Sequence, residues 1–201
     1  MYWYPVFSYF ISVSTSSQYM KVIGILAGPR RTGNTARLVE EVLAGAKDAG
    51  HEAHLFYMSD MDIKPLEADE TGYVYPDDDF NELMPYLESM DAFVLGSPIY
   101  YDHVSARTKI LIDRLYYYST SHGAEYRKLI PDGIKFVGVF SCGWDNPNVY
   151  GEVVEWLEER MSHYWNMEPV GSLKAYGTGR KPASENKDLL KKARALGESL
   201  V

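Results

Sequence analysis

The sequence predicts an α/β protein in which a parallel sheet is wrapped on both faces by helices. Two observations carry this. From residue 21 onward, short apolar runs alternate with helical periods five times, and right-handed crossovers turn that succession into a parallel sheet. The runs themselves, KVIGILA at 21–27 and IKFVGVFS at 134–141 among them, are apolar without alternation, as strands covered on both sides are. A length of 201 residues suits one well-buried core and falls short of two large ones.

Residues 1–19 are unlike the rest. They hold no charged side chain, four tyrosines (Tyr2, Tyr4, Tyr9 and Tyr19) and a Ser/Thr run from Ser14 to Ser17. A signal peptide needs a basic start and a small-residue cleavage site, and a membrane span needs about 20 apolar residues. This segment, broken by Pro5, offers neither. The expectation is a loosely ordered N-terminal extension followed by one domain over 20–201. The alternative is an aromatic arm that packs on a neighbouring subunit.

After the first strand, a helix over 34–49 places Ala36, Leu38, Val39, Val42, Leu43 and Ala46 at helical spacing and closes at Gly50. Residues 51–58 alternate weakly and read as a strand. Residues 59–79 are polar and punctuated by Pro65, Gly72 and Pro76, a long loop of the kind that is functional or vestigial. A short helix follows over 80–90 despite Pro85, then a buried strand at 91–97 and a helix over 104–118. The next strand is 134–141, the next helix the acidic stretch 149–164. A last strand at 168–176 precedes a helix over 184–200 that carries Lys187, Lys191, Lys192 and Arg194. No internal repeat and no second domain is visible.

Lysine and arginine number 20 against 28 aspartates and glutamates, a net charge of −8. Such a chain repels nucleic-acid backbones and anionic membranes, so neither is expected as a partner. The single cysteine, Cys142, excludes an internal disulfide, a Cys-based zinc site and a Cys-ligated iron–sulfur cluster within this chain. With no leader signal, it points to a reducing, cytoplasmic setting.

In open parallel sheets the ligand sits beyond the carboxyl ends of the strands. Three strand ends carry unusual sequence. The first is Gly28-Pro29-Arg30-Arg31-Thr32-Gly33-Asn34-Thr35. Unpaired N–H groups at a helix start bind phosphate, and here Thr35 adds a hydroxyl, Asn34 an amide, and Arg30 or Arg31 a full charge. The spacing fits the P-loop template with Asn34 in place of its lysine, which argues against nucleotide hydrolysis. A plain Gly-rich turn with an Asn/Thr cap is the bland alternative. In the second, Gly96-Ser97-Pro98-Ile99-Tyr100-Tyr101-Asp102-His103, Ile99, Tyr100 and Tyr101 offer a broad apolar surface for a flat ring, or else two tyrosines for a subunit contact. The third is Ser141-Cys142-Gly143-Trp144.

The pattern G-x-P-R-x-x-G-N-T after the first strand resembles the NADPH-dependent FMN reductase superfamily, as does G-S-P-I-Y followed by the helix Lys109-Ile110-Leu111-Ile112-Asp113-Arg114. The iron–sulfur flavoprotein branch is the most similar, and the likeness spans residues 20–176. It implies a flavodoxin-like three-layer sandwich with a five-stranded parallel sheet in the order 2-1-3-4-5. It also implies bound FMN, with Gly28, Pro29, Arg30, Thr32, Asn34 and Thr35 at the phosphate. Pro98, Ile99, Tyr100 and Tyr101 would border the isoalloxazine, and Ser141, Cys142, Gly143 and Trp144 would complete the ring pocket. Two departures stand out. Gly28 replaces a serine common in the family, and residues 64–69 lack the cluster cysteines of the iron–sulfur branch, so no iron–sulfur cluster is expected.

Other residues read more plainly. Cys142 has no cation or helix start to lower its pKa and reads as a small buried residue. His103 and His122 lie near helix ends without partners at metal-ligand spacing, so capping or solvated roles are expected and no metal site. Lys109 and Asp113 form an i,i+4 pair that belongs to architecture. Asp77, Asp78 and Asp79 cap the next helix or, alternatively, bind a divalent ion. The resemblance thus implies an FMN-dependent NAD(P)H oxidoreductase that passes electrons to a quinone, a flavin or another small acceptor, as a homodimer or homotetramer. It assigns no residue as general acid or base. The alternatives are a flavodoxin-like FMN electron carrier without NAD(P)H activity and a family member that has lost its flavin.

Overall fold

The structure, a computed structural model, describes residues 19–200; the expected N-terminal extension lies, but for Tyr19, outside the described residues. Five strands form the parallel sheet: β1 (Lys21–Leu26), β2 (Glu52–Tyr57), β5 (Ala92–Tyr100), β7 (Lys135–Ser141) and β8 (Glu168–Ala175). Their order is β2-β1-β5-β7-β8, which is the expected 2-1-3-4-5 counted over the parallel strands.

Successive residues of each strand enter opposite cores, which is why the apolar runs do not alternate. On one face Val22, Val94 and Val137 pack under α1 (Asn34–Asp48) and α6 (Lys187–Glu198). On the other, Ile23, Phe93 and Phe136 pack under α2 (Phe80–Leu87), α3 (Ala106–Arg114) and α5 (Gly151–Trp165). The short α4 (Ala124–Arg127) lies in the connection ahead of β7. Among the described residues, no helix is long and apolar enough to cross a membrane.

Helices α1 and α6 touch backbone to backbone. A Cβ on Gly45 would sit 2.0 Å from the Arg194 carbonyl oxygen, and one on Gly197 would sit 1.9 Å from that of Val42. Only glycine permits this approach. Arg194 then ties α6 to Asp48 (2.9 Å from Nε) and Glu41 (3.3 Å from Nη1) on α1.

Three stretches differ from the sequence expectation. The loop at 59–79 contains a hairpin, β3 (Glu67–Asp69) against β4 (Gly72–Val74), whose residues are exposed and whose strands are too short to show a period. Arg114 of α3 anchors this loop: Nη1 reaches Lys64 O (3.0 Å) and Asp78 Oδ2 (2.5 Å), and Nη2 reaches Pro76 O (3.2 Å). Both members of the ion pair are about 1% exposed, and the guanidinium lies 4.7 Å from the Phe80 ring centre. Asp78 also accepts from the N–H groups of Lys64 and Phe80, so it caps α2 and fastens the loop together. Among the described residues, no group of three His, Cys, Asp or Glu is placed to hold a metal ion.

Second, the third parallel strand runs on to Tyr100 and folds back through β6 (His103–Val104), a two-residue hairpin turning on Tyr101 and Asp102. Both have left-handed φ, +47° and +63°, as this tight hairpin demands. The expected helix over 104–118 accordingly begins at Ala106, where the Ser105 side chain accepts from Thr108 N (3.2 Å), and ends in a 3₁₀ turn over Leu115–Tyr118. Third, the last helix starts late. A 3₁₀ turn at Ala183–Glu185 precedes α6, which is capped by Asn186 accepting from Leu189 N (3.2 Å).

Candidate functional site

The carboxyl ends of β1, β5, β7 and β8 converge on one cavity of about 430 Å³. The β1 loop supplies its charged side. Helix α1 begins at Gly33 with no side-chain cap and no acidic residue in its first turn. Its first internal bond is Arg37 N to Gly33 O (3.0 Å), so the N–H groups before it are free for an anion.

Four of the polar side chains of this loop, Arg30, Arg31, Asn34 and Thr35, divide their work. Arg31 turns away, paired with Asp60 (2.7 Å) over the Tyr57 ring, while Arg30 borders the cavity and makes no ion pair among the described residues. The Asn34 carbonyl oxygen accepts from Ala183 N (2.8 Å), which leaves its NH₂ end unengaged. The Thr35 and Ser141 hydroxyls lie 2.7 Å apart, both buried, joining the first loop to the third.

A buried hydroxyl network sets the second loop. Ser97 Oγ accepts from Ser105 N (3.0 Å) and Thr108 Oγ1 (2.8 Å), while Ser105 Oγ donates to Ala27 O (2.6 Å). It fixes the end of β1, the end of β5 and the start of α3 as one unit. Sequence reading missed Ser105 and Thr108, whose only sequence signal is a cap three residues ahead of its target. Pro98, Ile99 and Tyr100 border the cavity from this unit.

Of the expected site residues, Gly28, Pro29, Arg30, Asn34, Thr35, Ser141, Cys142 and Gly143 also line it. Thr32, Tyr101 and Trp144 do not. Thr32 is exposed on the loop, Tyr101 stands fully exposed at the hairpin tip, and Trp144 is exposed beyond the third loop. Burial pushes the Cys142 thiol up, so it stays neutral and serves as a wall.

A fourth loop, after β8, was not anticipated. Thr178 and Gly179 line the cavity, Thr178 Oγ1 donates to Cys142 O (2.9 Å), and Gly177 N donates to Trp144 O (2.8 Å). Gly177 has φ +60°, and a Cβ there would meet Asp145 Oδ1 at 2.8 Å. The sequence signal was G-T-G directly after a strand, the same kind of cue that marked the other three ends.

Neither His103 nor His122 lines this cavity. His103 packs edge-on against Trp156 (4.6 Å between ring centres). His122 meets the Tyr75 hydroxyl at 2.8 Å among Tyr116 and Tyr126. A larger opening of about 1000 Å³ lies on the helical flank between the β3–β4 hairpin, α3 and α5. None of the four strand-end loops lines it.

Comparison with known proteins bears on the family and the fold. The model of the NADPH-dependent FMN reductase family matches residues 20–133. An iron-sulfur flavoprotein of Archaeoglobus fulgidus is 30% identical over 186 residues, covering 90% of this chain and 79% of the relative. Three further iron-sulfur flavoproteins align over about half of their own length. A putative NAD(P)H-dependent FMN-containing oxidoreductase of Bacillus subtilis is 28% identical, covering 88% of this chain and 93% of that one. Among solved structures, an NAD(P)H:quinone oxidoreductase from Methanothermobacter marburgensis superposes with a TM-score of 0.69 at 19% identity. That alignment covers 91% of this chain and all of that one.

Proposed function

The chain belongs to the NADPH-dependent FMN reductase family, a family of oxidoreductases, and from that premise we propose a specific site and reaction for it. FMN occupies the cavity at the carboxyl edge of the sheet, and electrons pass from reduced nicotinamide nucleotide to a quinone, a flavin or another small acceptor. The single observation that carries this is the uncapped start of α1, opening onto a cavity walled by four strand-end loops.

The residues present fit the group. A phosphate dianion suits free helix N–H groups with the unpaired Arg30 beside them. A Cβ on Gly143 would meet nothing within 4 Å, so a flat ring has room over this backbone. Pro98 and Ile99 give it an apolar edge held by the Ser97 network. When bound, FMN supplies the redox chemistry, accepting hydride from reduced nicotinamide and releasing electrons to the acceptor.

The protein's own part is binding, orientation and exclusion of water. Asn34 and Thr35 hold the phosphate end through their free N–H groups while their side-chain oxygens lock the neighbouring loops. Exposed Tyr100, Tyr101 and Trp144 offer stacking surface to whichever substrate visits next, so one open face serves both in turn. With a single cysteine, the chain works with flavin alone rather than flavin plus cluster. We expect a homodimer or homotetramer.

The test is a spectrum of protein incubated with FMN and desalted, followed by steady-state oxidation of NADH and NADPH with a benzoquinone. A yellow protein reduced by either nucleotide supports the proposal. A colourless one overturns it, and a flavin that neither nucleotide reduces selects the electron-carrier reading.

A further inference from the structure

Nine arginines occur in the chain, and six of them pair with a carboxylate: Arg31, Arg37, Arg114, Arg127, Arg160 and Arg194. The other three, Arg30, Arg107 and Arg180, make no ion pair among the described residues. All three lie at the carboxyl edge of the sheet, in the β1 loop, the first turn of α3 and the β8 loop. In a chain of net charge −8, these three guanidinium groups stand at the edge of the sheet where the ligands enter.

Arg180 sits on a fixed backbone. Its N–H and that of Lys181 both donate to Gly177 O (2.9 and 3.0 Å), closing a tight turn. The turn is fastened to the third loop through Thr178 and Cys142 O, and to the first through Ala183 N and Asn34 Oδ1. Thr178 and Gly179, immediately before Arg180, form cavity wall, while Arg180 and Lys181 are exposed. FMN carries one phosphate, which the start of α1 and Arg30 satisfy. A reduced nicotinamide dinucleotide brings at least two more.

Resting on the FMN reading above, we propose that Arg180, assisted by Lys181, is the phosphate subsite for the reduced nicotinamide nucleotide. Its geometry holds the nucleotide's phosphates on the β8 loop while the nicotinamide reaches the flavin edge. These residues bind substrate and take no part in the electron transfer.

The experiment uses the FMN-loaded full chain with Arg180→Ala, Arg180→Lys and the double variant Arg180→Ala/Lys181→Ala. Adenosine 2′,5′-bisphosphate is titrated by calorimetry, and KM and kcat are measured for NADPH and NADH with a benzoquinone. We expect the alanine variants to weaken the probe and raise KM by on the order of ten-fold, with kcat held and the lysine variant retaining most affinity. The difference from wild type shrinks at high salt. A loss confined to NADPH and the probe places the 2′-phosphate on Arg180, whereas an equal loss for NADH places the pyrophosphate there. Unchanged KM for both nucleotides, or a wild type that does not bind the probe, overturns the proposal. A wild type that binds the probe yet holds no flavin separates failure of the FMN reading from failure of this one.

Discussion

Gly28 lies in the cavity wall at the end of β1, at the position where the sequence resemblance implies that serine is common. The space for that serine exists. A Cβ on Gly28 would meet Pro98 Cδ at 3.5 Å and Leu26 Cδ1 at 3.7 Å, ordinary contact distances, and its φ lies outside the left-handed region. Gly28→Ser therefore adds a hydroxyl beside the start of α1 without strain. One further hydrogen bond to a phosphate contributes about 1 kcal/mol. The expected outcome is an FMN dissociation constant about five-fold lower, read by quenching of flavin fluorescence; equal or weaker binding would place the phosphate elsewhere. Asn34 and Thr35 illustrate the converse. Their residue types marked the loop, but their side-chain oxygens bind Ala183 and Ser141, so each is also a tie between loops.

At the level of elements, the phosphate cradle is only as rigid as α1, and α1 is clasped by α6. The contact at Gly45 leaves no space, because the nearest atom to a Cβ there is a backbone carbonyl oxygen at 2.0 Å, which cannot rotate aside. Gly45→Ala forces the two helices apart and is expected to cost about 2–3 kcal/mol, seen as a lower midpoint of denaturant unfolding. Since Ala183 at the head of the α6 segment is bonded to Asn34, FMN affinity falls with it. Retained stability would show that the helices slide apart freely. As a contrast, alanine at exposed Lys191 on α6 should leave both quantities within error.

Over the whole molecule, what the sequence made legible was set by local periodicity and strand ends. The parallel strands announced themselves because both faces are buried. The β3–β4 hairpin did not, since its strands are exposed and its anchor, Arg114, stands dozens of residues downstream. The β8 loop carries its cue in Gly177-Thr178-Gly179, but its ties to Cys142 and Asn34, which make it part of the cavity wall, exist only in the folded chain. The Arg114–Asp78 pair gives the fold an acid limit. Burial alone raises the Asp78 carboxyl, yet the Arg114 hydrogen bond and the N–H groups of Lys64 and Phe80 outweigh it and hold the group below the usual carboxylate range. A depressed folded pKa contributes stability that is fully present above the unfolded value, about 3.9, and is lost as pH falls through the lower folded value. Removing one partner of a buried pair costs about 3–5 kcal/mol, so Asp78→Asn lowers the unfolding free energy at pH 7 by an amount of that order. It should also flatten the acid limb, because the asparagine has no proton to gain. Parallel urea titrations of wild type and variant between pH 7 and pH 3 check both statements. Curves that stay the same distance apart throughout would show that Asp78 is not the group that titrates.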